Sequence, residues 1–173
     1  MIIHGYNPKH ILNAVLVSIP KDKHGVLTSS ENYRGIALCS SISKLFDTII
    51  LSKFSKELNS SNLQFAFKEK HSTTLATTLL IETVKYYMDN NSSIYVCMLD
   101  ASKAFDRVKY CELFNILLKR NIPHSVSRLL LDLYTRQSVC ATWDGVMSDP
   151  FSATNGVRQG AILSPILFNL YMD

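Results

Sequence analysis

A chain of 173 residues with 47% hydrophobic residues is large enough for one packed domain or part of a larger one, and this composition excludes wholesale disorder. The net charge of +4 is a mild bias, compatible with an anionic partner. The excess lies in the first part of the chain. Residues 1–70 contain nine Lys and Arg against five Asp and Glu, whereas residues 71–173 contain nine of each kind.

The first predicted elements are a strand and two helices. A short apolar run at 14–19 is typical of a strand and is ended by Pro20. From Ser41 to Leu58, apolar residues recur at steps of three and four, which predicts an amphipathic helix capped by Ser40 or Ser41. A similar pattern over 75–88 predicts a second helix, ended by the polar turn 89–91.

The stretch 94–108 follows. Residues 94–99 are an unbroken apolar run, too short for a good helix, and predict a strand buried on both faces. The run stops at Asp100, so this carboxylate is expected at the strand's C-terminal edge, where sheet enzymes commonly hold metals or phosphates. The alternative is that Asp100 only caps the next turn.

The sequence pattern of the last third of the chain predicts short helices and one hairpin. Apolar spacing indicates helices over 113–118 and 126–133, separated by a break at Pro123. Asp144-Gly145, between two apolar runs, predicts a type I′ hairpin turn. Residues 155–160 form a loop with two glycines, and Ser164 and Pro165 are expected to supply the cap and first turn of a helix through Leu170.

The four cysteines form no Cys-x-x-Cys pair and have no zinc-ligand spacing with the five histidines. A reducing intracellular compartment, cytoplasmic or nuclear, is therefore expected. Residues 1–5 lack the basic region and apolar core that open a signal peptide. The apolar stretch 161–172 contains polar residues and is too short to span a bilayer, so no membrane partner is expected.

Four segments carry the functional information. They read Asn-Tyr-Arg-Gly-Ile at 32–36, Phe-Lys-x-x-His-Ser-Thr at 67–73, Asp-Ala-Ser-Lys-Ala-Phe-Asp at 100–106 and Asn-Gly-Val-Arg-Gln-Gly at 155–160, the last followed by Leu-Ser-Pro at 163–165. In this order and spacing they resemble the reverse transcriptases of non-LTR (LINE-type) retrotransposons, with group II intron enzymes as more distant relatives.

The resemblance implies an α/β fold of the α+β palm type, a partial right-hand polymerase. Residues 1–91 would be the fingers, with the start of the palm near 14–20, and residues 92–173 an incomplete palm without a thumb. The implied function is RNA-directed DNA polymerase, with an RNA template, a DNA primer and a dNTP as partners. Protein partners are not indicated.

The resemblance also implies a two-Mg²⁺ nucleotidyl transfer onto a primer 3′-hydroxyl. Asp100 would be the first metal-binding aspartate, and the Ala101 carbonyl would be an additional ligand. Phe105 matches the aromatic that lies against the sugar and excludes ribonucleotides; the alternative is an ordinary core aromatic. Asp106 is expected to have a hydrogen-bonding role.

Further residues match positions that contact substrates in the family. Arg34 and Lys21 would contact the triphosphate. Either could instead belong to a solvated loop, and for Lys21 this alternative is the stronger one. Gln159 and Gly160 would lie beside the incoming nucleotide. The residues expected along the template strand are Lys68, Lys70, His71, Ser72, Thr73 and Arg158. Arg158 could instead be a surface charge, and Lys103 and Arg107 could be solvated or face phosphates.

The end of the sequence resembles the start of the family's Tyr-x-Asp-Asp segment, but it lies within the pattern of the preceding helix. Asp173 is therefore not expected to be a metal ligand, and the second carboxylate partner of Asp100 is expected to be missing. Without a neighbouring hairpin, strand 94–99 would expose apolar surface and unpaired backbone groups, so poor solubility or instability is expected. Because the second carboxylate is missing, the chain alone is expected to be inactive.

Two alternative functions remain open from sequence. The chain could be a non-enzymatic nucleic-acid-binding remnant of a retroelement, because its basic excess lies in the first 70 residues. An unrelated Mg²⁺-dependent phosphotransferase is a weaker alternative, because it does not explain the segment at 155–165.

Overall fold

The computed structural model describes residues 5–173, and the predicted absence of a signal peptide concerns mainly residues outside this range. The chain folds as a mixed α/β structure, as expected. The strands are β1 (Asn13–Pro20), β2 (Tyr33–Cys39), β3 (Ser138–Trp143) and β4 (Val146–Met147), and the helices are α1 (Lys9–Leu12), α2 (Ser41–Lys53), α3 (Thr73–Asp89), α4 (Tyr110–Lys119), α5 (His124–Thr135) and α6 (Ser164–Met172).

The strands form one small mixed sheet in the order β2-β1-β3-β4. β1 pairs antiparallel with β2 and parallel with β3, so a segment from the second half of the chain joins the first half. Asp144 and Gly145 both have positive φ, 47° and 77°, which confirms the predicted type I′ turn between β3 and β4.

The core lies among α4, α5 and α6, and it confirms the predicted helices in this region. Leucines spaced three or four residues apart on each helix point inward, because this spacing puts them on one face. The buried leucines that define this core are Leu113, Leu117, Leu129, Leu133, Leu167 and Leu170. No helix within residues 5–173 has the length and apolar character needed to cross a membrane.

Helix α2 begins as predicted, since the Ser40 hydroxyl accepts a hydrogen bond from the Ser43 N–H at 3.2 Å. It ends at Lys53, earlier than the apolar pattern suggested, and continues as turns to Leu58. Its inward face is formed by Phe46, Asp47 and Ile50. A second apolar stripe on the same helix, Ile42, Leu45 and Ile49, is exposed.

The prediction of a buried strand at 94–99 is wrong. The segment has no regular structure, and Tyr95 and Leu99 are each 95% exposed. A strand forms only where a neighbour pairs with its backbone, and no described strand lies beside this one. Helix α3, directly before it, is present as predicted but buries none of its residues.

The expected cap of α6 is also wrong. Ser164 makes no capping hydrogen bond, and its hydroxyl lies 3.3 Å from the Tyr134 hydroxyl instead. The buried Asp47 carboxylate on α2 takes over this function by accepting from the Leu163 N–H at 3.4 Å. Pro165 does lie in the first turn, as predicted.

Candidate active site

Residues from four distant segments line one open cavity of about 510 Å³. Its walls are the loop 21–32, the strand β2, the turn at 100–106 and the loop that carries Gln159. Of the residues predicted from sequence, the following line it: Lys21, Arg34, Asp100, Ala101, Phe105 and Gln159, together with the nearby Lys103 and Asp106. With Glu31 as a third acidic residue, the cavity brings three carboxylates and three cations into one place.

The loop 21–32 is closed by Asn32. Its side chain accepts from the Asp22 N–H at 3.1 Å and donates to the Asp22 carbonyl at 2.8 Å, while the Lys21 N–H donates to the Asn32 carbonyl at 2.6 Å. The Lys21 ammonium donates to the Glu31 carbonyl at 2.7 Å. This bond holds the ammonium at the rim of the cavity rather than leaving it on a free loop.

Arg34 lies on β2 opposite Ile19 of β1. Its side chain is exposed at the cavity wall, and its guanidinium makes no hydrogen bond within residues 5–173. A guanidinium in this state retains its full donor set for a ligand.

The turn at 100–106 ends in a short 3₁₀ helix, Ala104–Arg107, which follows the left-handed Lys103 (φ 53°). Phe105 is half-buried in this turn. Its ring stacks on Phe168 with centroids 4.7 Å apart and meets Phe67 edge-on at 6.0 Å. Phe105 therefore packs against the core and lines the cavity at the same time.

The loop 155–160 connects two walls of the cavity. On one side the Gly156 N–H donates to the Val108 carbonyl at 2.8 Å, and the Val157 N–H donates to the Phe105 carbonyl at 2.9 Å. On the other side the Gln159 carbonyl accepts from the Ala37 N–H of β2 at 2.7 Å. These bonds fix β2 and the Phe105 turn relative to each other.

Two glycines permit this close approach. A Cβ on Gly156 would lie 2.9 Å from the Asp106 Cα, and a Cβ on Gly160 would lie 2.9 Å from the Ala37 carbonyl oxygen. Both glycines also have positive φ, 91° and 114°. Gly160 thus packs against β2 and does not line the cavity.

The sequence pattern of the reverse transcriptase (RNA-dependent DNA polymerase) family matches residues 19–173, nearly the whole chain. The chain belongs to this family. The resemblance predicted from the four segments is thereby confirmed.

Comparison with individual proteins points to the same family. The reverse transcriptase chain is 27% identical over 98% of its length to the retrovirus-related Pol polyprotein from type-2 retrotransposable element R2DM of Drosophila melanogaster. It is 28% identical over its whole length to the corresponding protein from type-1 retrotransposable element R2 of Nasonia vitripennis. It is 26% identical over 96% of its length to the RNA-directed DNA polymerase from mobile element jockey of Drosophila melanogaster. The chain spans only 16–18% of the length of these relatives.

Arg158 is 6% exposed, so its alternative interpretation as a surface charge is wrong. Its guanidinium lies 5.3 Å from the centre of the Tyr134 ring and donates to the Cys39 Sγ at 3.5 Å. Burial raises the pKa of Asp47, and the positive charge of Arg158 partly opposes this rise. Burial also raises the pKa of Tyr134 to about 12. Arg158 therefore belongs to a buried polar cluster behind the cavity.

The segment predicted to follow the template lies outside the cavity. The Lys68 ammonium donates to the Ser60 and Ser61 carbonyls at 3.1 and 2.9 Å. It is therefore engaged in hydrogen bonds within the protein. Ser72 caps α3 by accepting from the Leu75 N–H at 3.1 Å. Lys70 is exposed.

The oxygen donors at the cavity have the hard character that Mg²⁺ prefers, namely the carboxylates of Glu31, Asp100 and Asp106 and the Ala101 carbonyl. They do not converge, however. Within residues 5–173 no group of three or more His, Cys, Asp or Glu side chains is placed to hold a metal ion. The chemistry of the donors fits the ion, and the described residues supply only part of a coordination shell.

Asp173 lies apart from this cavity. Its carboxylate pairs with Arg120 at 2.7 Å and accepts from the Ser61 N–H at 2.9 Å. The Ser61 bond and then the Arg120 pair lower the pKa of Asp173.

The sequence reasoning did not single out Asn32, Glu31 or Tyr33. Asn32 closes the Lys21 loop, and the other two line the cavity. Asn32 and Tyr33 are the first two residues of the recognised segment 32–36, so the signal for them was present.

Proposed function

We propose that this chain is the nucleotide-binding segment of an RNA-directed DNA polymerase, which adds dNTPs to a primer 3′-hydroxyl on an RNA template. Residues 1–91 are the proposed fingers and residues 92–173 an incomplete palm. The observation that carries this proposal is the convergence of Lys21, Arg34, Asp100 and Gln159 on one cavity, in a chain of the reverse transcriptase family.

Lys21 and Arg34 are the proposed triphosphate contacts. Both cations lie at the cavity wall, one held at its rim by the Glu31 carbonyl and one without a protein partner in the described chain. A planar guanidinium donates two parallel hydrogen bonds to phosphate oxygens, and an ammonium adds a point charge. Gln159 would lie beside the bound nucleotide, with Gly160 holding its backbone against β2.

Phe105 is the proposed sugar-selecting residue. Its ring is fixed by stacking on Phe168, so it cannot easily move aside for an extra 2′-hydroxyl. The same packing that makes it a core aromatic therefore supports its proposed selective role.

Asp100 and the Ala101 carbonyl are the proposed protein ligands of the catalytic metal. Divalent cations bound there would supply the charge that stabilises the attacking and leaving oxygens of the transfer. The exposed Asp100 carboxylate makes no hydrogen bond or ion pair within residues 5–173, and the nearby Asp106 N–H donates to the Lys103 carbonyl at 3.0 Å.

Lys70, His71 and Thr73 are the proposed backbone contacts of the template strand. They lie in one exposed or half-exposed segment before and at the start of α3. Lys68 would contribute only after leaving the carbonyls of Ser60 and Ser61, and Ser72 is occupied as a helix cap. Arg158 is not among these contacts because its side chain is buried.

Nucleotide binding tests the cavity directly. A fluorescent dATP analogue titrated into the chain with Mg²⁺ should bind, and Arg34→Ala should weaken binding about tenfold to a hundredfold, the range for a lost charge-assisted hydrogen bond. Lys23→Ala is the matched control, because Lys23 is an exposed cation on the same loop outside the cavity. Equal losses in the two variants would contradict the proposed site.

Primer extension on an RNA template separates polymerase from simple binding. Extension that is lost in Asp100→Asn supports the proposed chemistry. Because the chain alone is expected to lack the second carboxylate, the assay compares it with a version extended through the family's Tyr-x-Asp-Asp segment. RNA binding that is unchanged in Asp100→Asn, with no extension by the extended protein, would favour the alternative of a non-enzymatic nucleic-acid-binding module.

A further inference from the structure

Two aromatic rings, one half-buried and one exposed, meet at the open end of the sheet. Tyr33 at the start of β2 and Trp143 at the end of β3 contact edge to face, with centroids 4.9 Å apart and planes at 71°. Trp143 is nevertheless 56% exposed. Large aromatics that remain this exposed offer a flat apolar surface to a ligand.

The strand register explains how these rings meet across β1. β3 runs parallel to β1 with Thr142 opposite Val17, so Trp143 comes next to Ser18. Ser18 in turn pairs with Gly35 of β2. Small residues, Ser18 and Gly35, therefore lie between the two rings, and Tyr33 itself is opposite Pro20 of β1.

The far end of the same sheet face is closed. Residues on alternate positions share a face, so Tyr33, Gly35 and Ala37 of β2 point the same way. Ala37 is buried, and its N–H donates to the Gln159 carbonyl of the loop 155–160, which runs along the edge of β2. The loop stops before Tyr33, so the aromatic end of the face remains open.

The cavity at this open end has the character of a site for an uncharged ring. It measures about 530 Å³ and is lined by the following residues: Val17, Ser18, Tyr33, Thr142, Trp143, Asp144 and Gly145. Its lining includes no cation and one carboxylate, which disfavours phosphate. Tyr33 also lines the nucleotide cavity, where Lys21 and Arg34 supply positive charge. A ligand's phosphates would thus bind in the nucleotide cavity, and an aromatic ring of the ligand would bind in the adjoining cavity beside Trp143.

We infer that Tyr33 and Trp143 form a stacking site for an unpaired nucleobase of a single-stranded nucleic acid. Base stacking on an aromatic side chain is tolerant of sequence, because every base has a π-face. The strand's backbone would pass over the neighbouring cations, and one base would lie against the exposed indole. The inference rests on the proposed function in one respect, namely that a nucleic acid lies beside the nucleotide cavity.

Intrinsic fluorescence provides the test, because Trp143 is the chain's single tryptophan. Titration of the 173-residue chain with single-stranded oligouridylate should quench its emission as bases stack on the indole. An abasic sugar-phosphate strand of the same length should bind without this quenching. Equal quenching by both strands, or none by either, would overturn the inference.

Substitution separates stacking from a purely structural role of the aromatic pair. Trp143→Leu should weaken oligouridylate binding, measured by anisotropy of a labelled strand, about five- to one-hundredfold, and Trp143→Phe should restore most of it. Val146→Ala is the matched control, since Val146 pairs with Trp143 on the hairpin but does not line the cavity. Unchanged affinity in Trp143→Leu, with unfolding midpoints like those of the control, would also overturn the stacking site.

A separate measurement keeps this inference apart from the proposed function. Failure of the fluorescent dATP analogue to bind the unsubstituted chain would contradict the nucleotide site. Base-dependent quenching of Trp143 in that same protein would still support the stacking site. The two results are therefore distinguishable.

Discussion

At the scale of single residues, Gly160 and Gly145 offer a matched comparison. Both have positive φ, but a Cβ on Gly160 would overlap the Ala37 carbonyl, whereas a Cβ on Gly145 would meet nothing within 4 Å. Gly145→Ala should cost about 1 kcal/mol of unfolding free energy from backbone strain alone. Gly160→Ala should cost about 2–4 kcal/mol, because overpacking is added. Urea unfolding followed by Trp143 emission measures both; equal costs would contradict the packing argument.

Asp47 makes a pH dependence predictable. Burial raises its pKa above the ordinary 3.8, so the folded state binds this proton more tightly than the unfolded state. The protonated Asp47 side chain therefore contributes to the unfolding free energy below pH 3.8, and this contribution is lost as the pH rises through the raised pKa of the folded state. The unfolding free energy of the natural chain minus that of Asp47→Asn should fall between pH 3.8 and neutrality. A constant difference across this range, measured by urea unfolding, would refute the assignment.

The buried cluster around Asp47 also shows a limit of sequence reasoning at this scale. Arg158 lies in a recognised segment, so its presence was expected, but its orientation depends on Tyr134 and Cys39, which are distant in sequence. Phe105 was expected at the cavity and is found there, because its position follows directly from the segment that contains it. Local segments indicate which residues matter, and only packing decides which way each side chain points.

At the scale of elements, α3 depends on its own sequence because it buries no residue against the rest of the chain. Ser72 caps it, so Ser72→Ala should cost about 1 kcal/mol locally and speed amide exchange in its first turns about fivefold. Thr74→Ala is the control, since it changes the same turn without removing the cap. Unaltered exchange in Ser72→Ala would show that other contacts hold this helix.

Whether an element can be predicted from sequence depends on how far apart in the chain the residues that stabilise it lie. The hairpin at Asp144-Gly145 and the cap at Ser40 are encoded within a few residues, and the structure contains both. The strand at 94–99 needed a pairing partner, and the start of α6 is capped by Asp47, more than a hundred residues earlier. Long-range contacts of this kind leave no local pattern in the sequence.

At the scale of the whole molecule, the largest unusual feature is apolar surface on α3 and the segment after it. Tyr95 and Leu99 are each 95% exposed, and Met98 is 80% exposed. We predict self-association of this chain at concentrations on the order of 10 μM. Light scattering should show that the double substitution Tyr95→Lys and Leu99→Lys reduces this association.

Charge alone could also reduce association, and a second double variant separates the two effects. Ser92→Lys with Ser93→Lys adds the same charge to the same exposed segment without removing apolar side chains. This variant should associate nearly as strongly as the natural chain at moderate salt, where added charges are screened. If both double variants behave alike, apolar exposure is not the cause.

The bonds of the loop 155–160 have a mechanical consequence for the cavity. Only one residue, Arg158, lies between Val157, whose N–H bonds the Phe105 turn, and Gln159, whose carbonyl bonds β2. The three residues 157–159 reach at most about 11 Å even when fully extended. The loop therefore limits the distance between the Phe105 turn and β2. Neither wall can swing without breaking a backbone bond. Closing of the cavity around a ligand is therefore expected in the parts of the wall that these bonds do not hold, the loop 21–32 and residues 100–102.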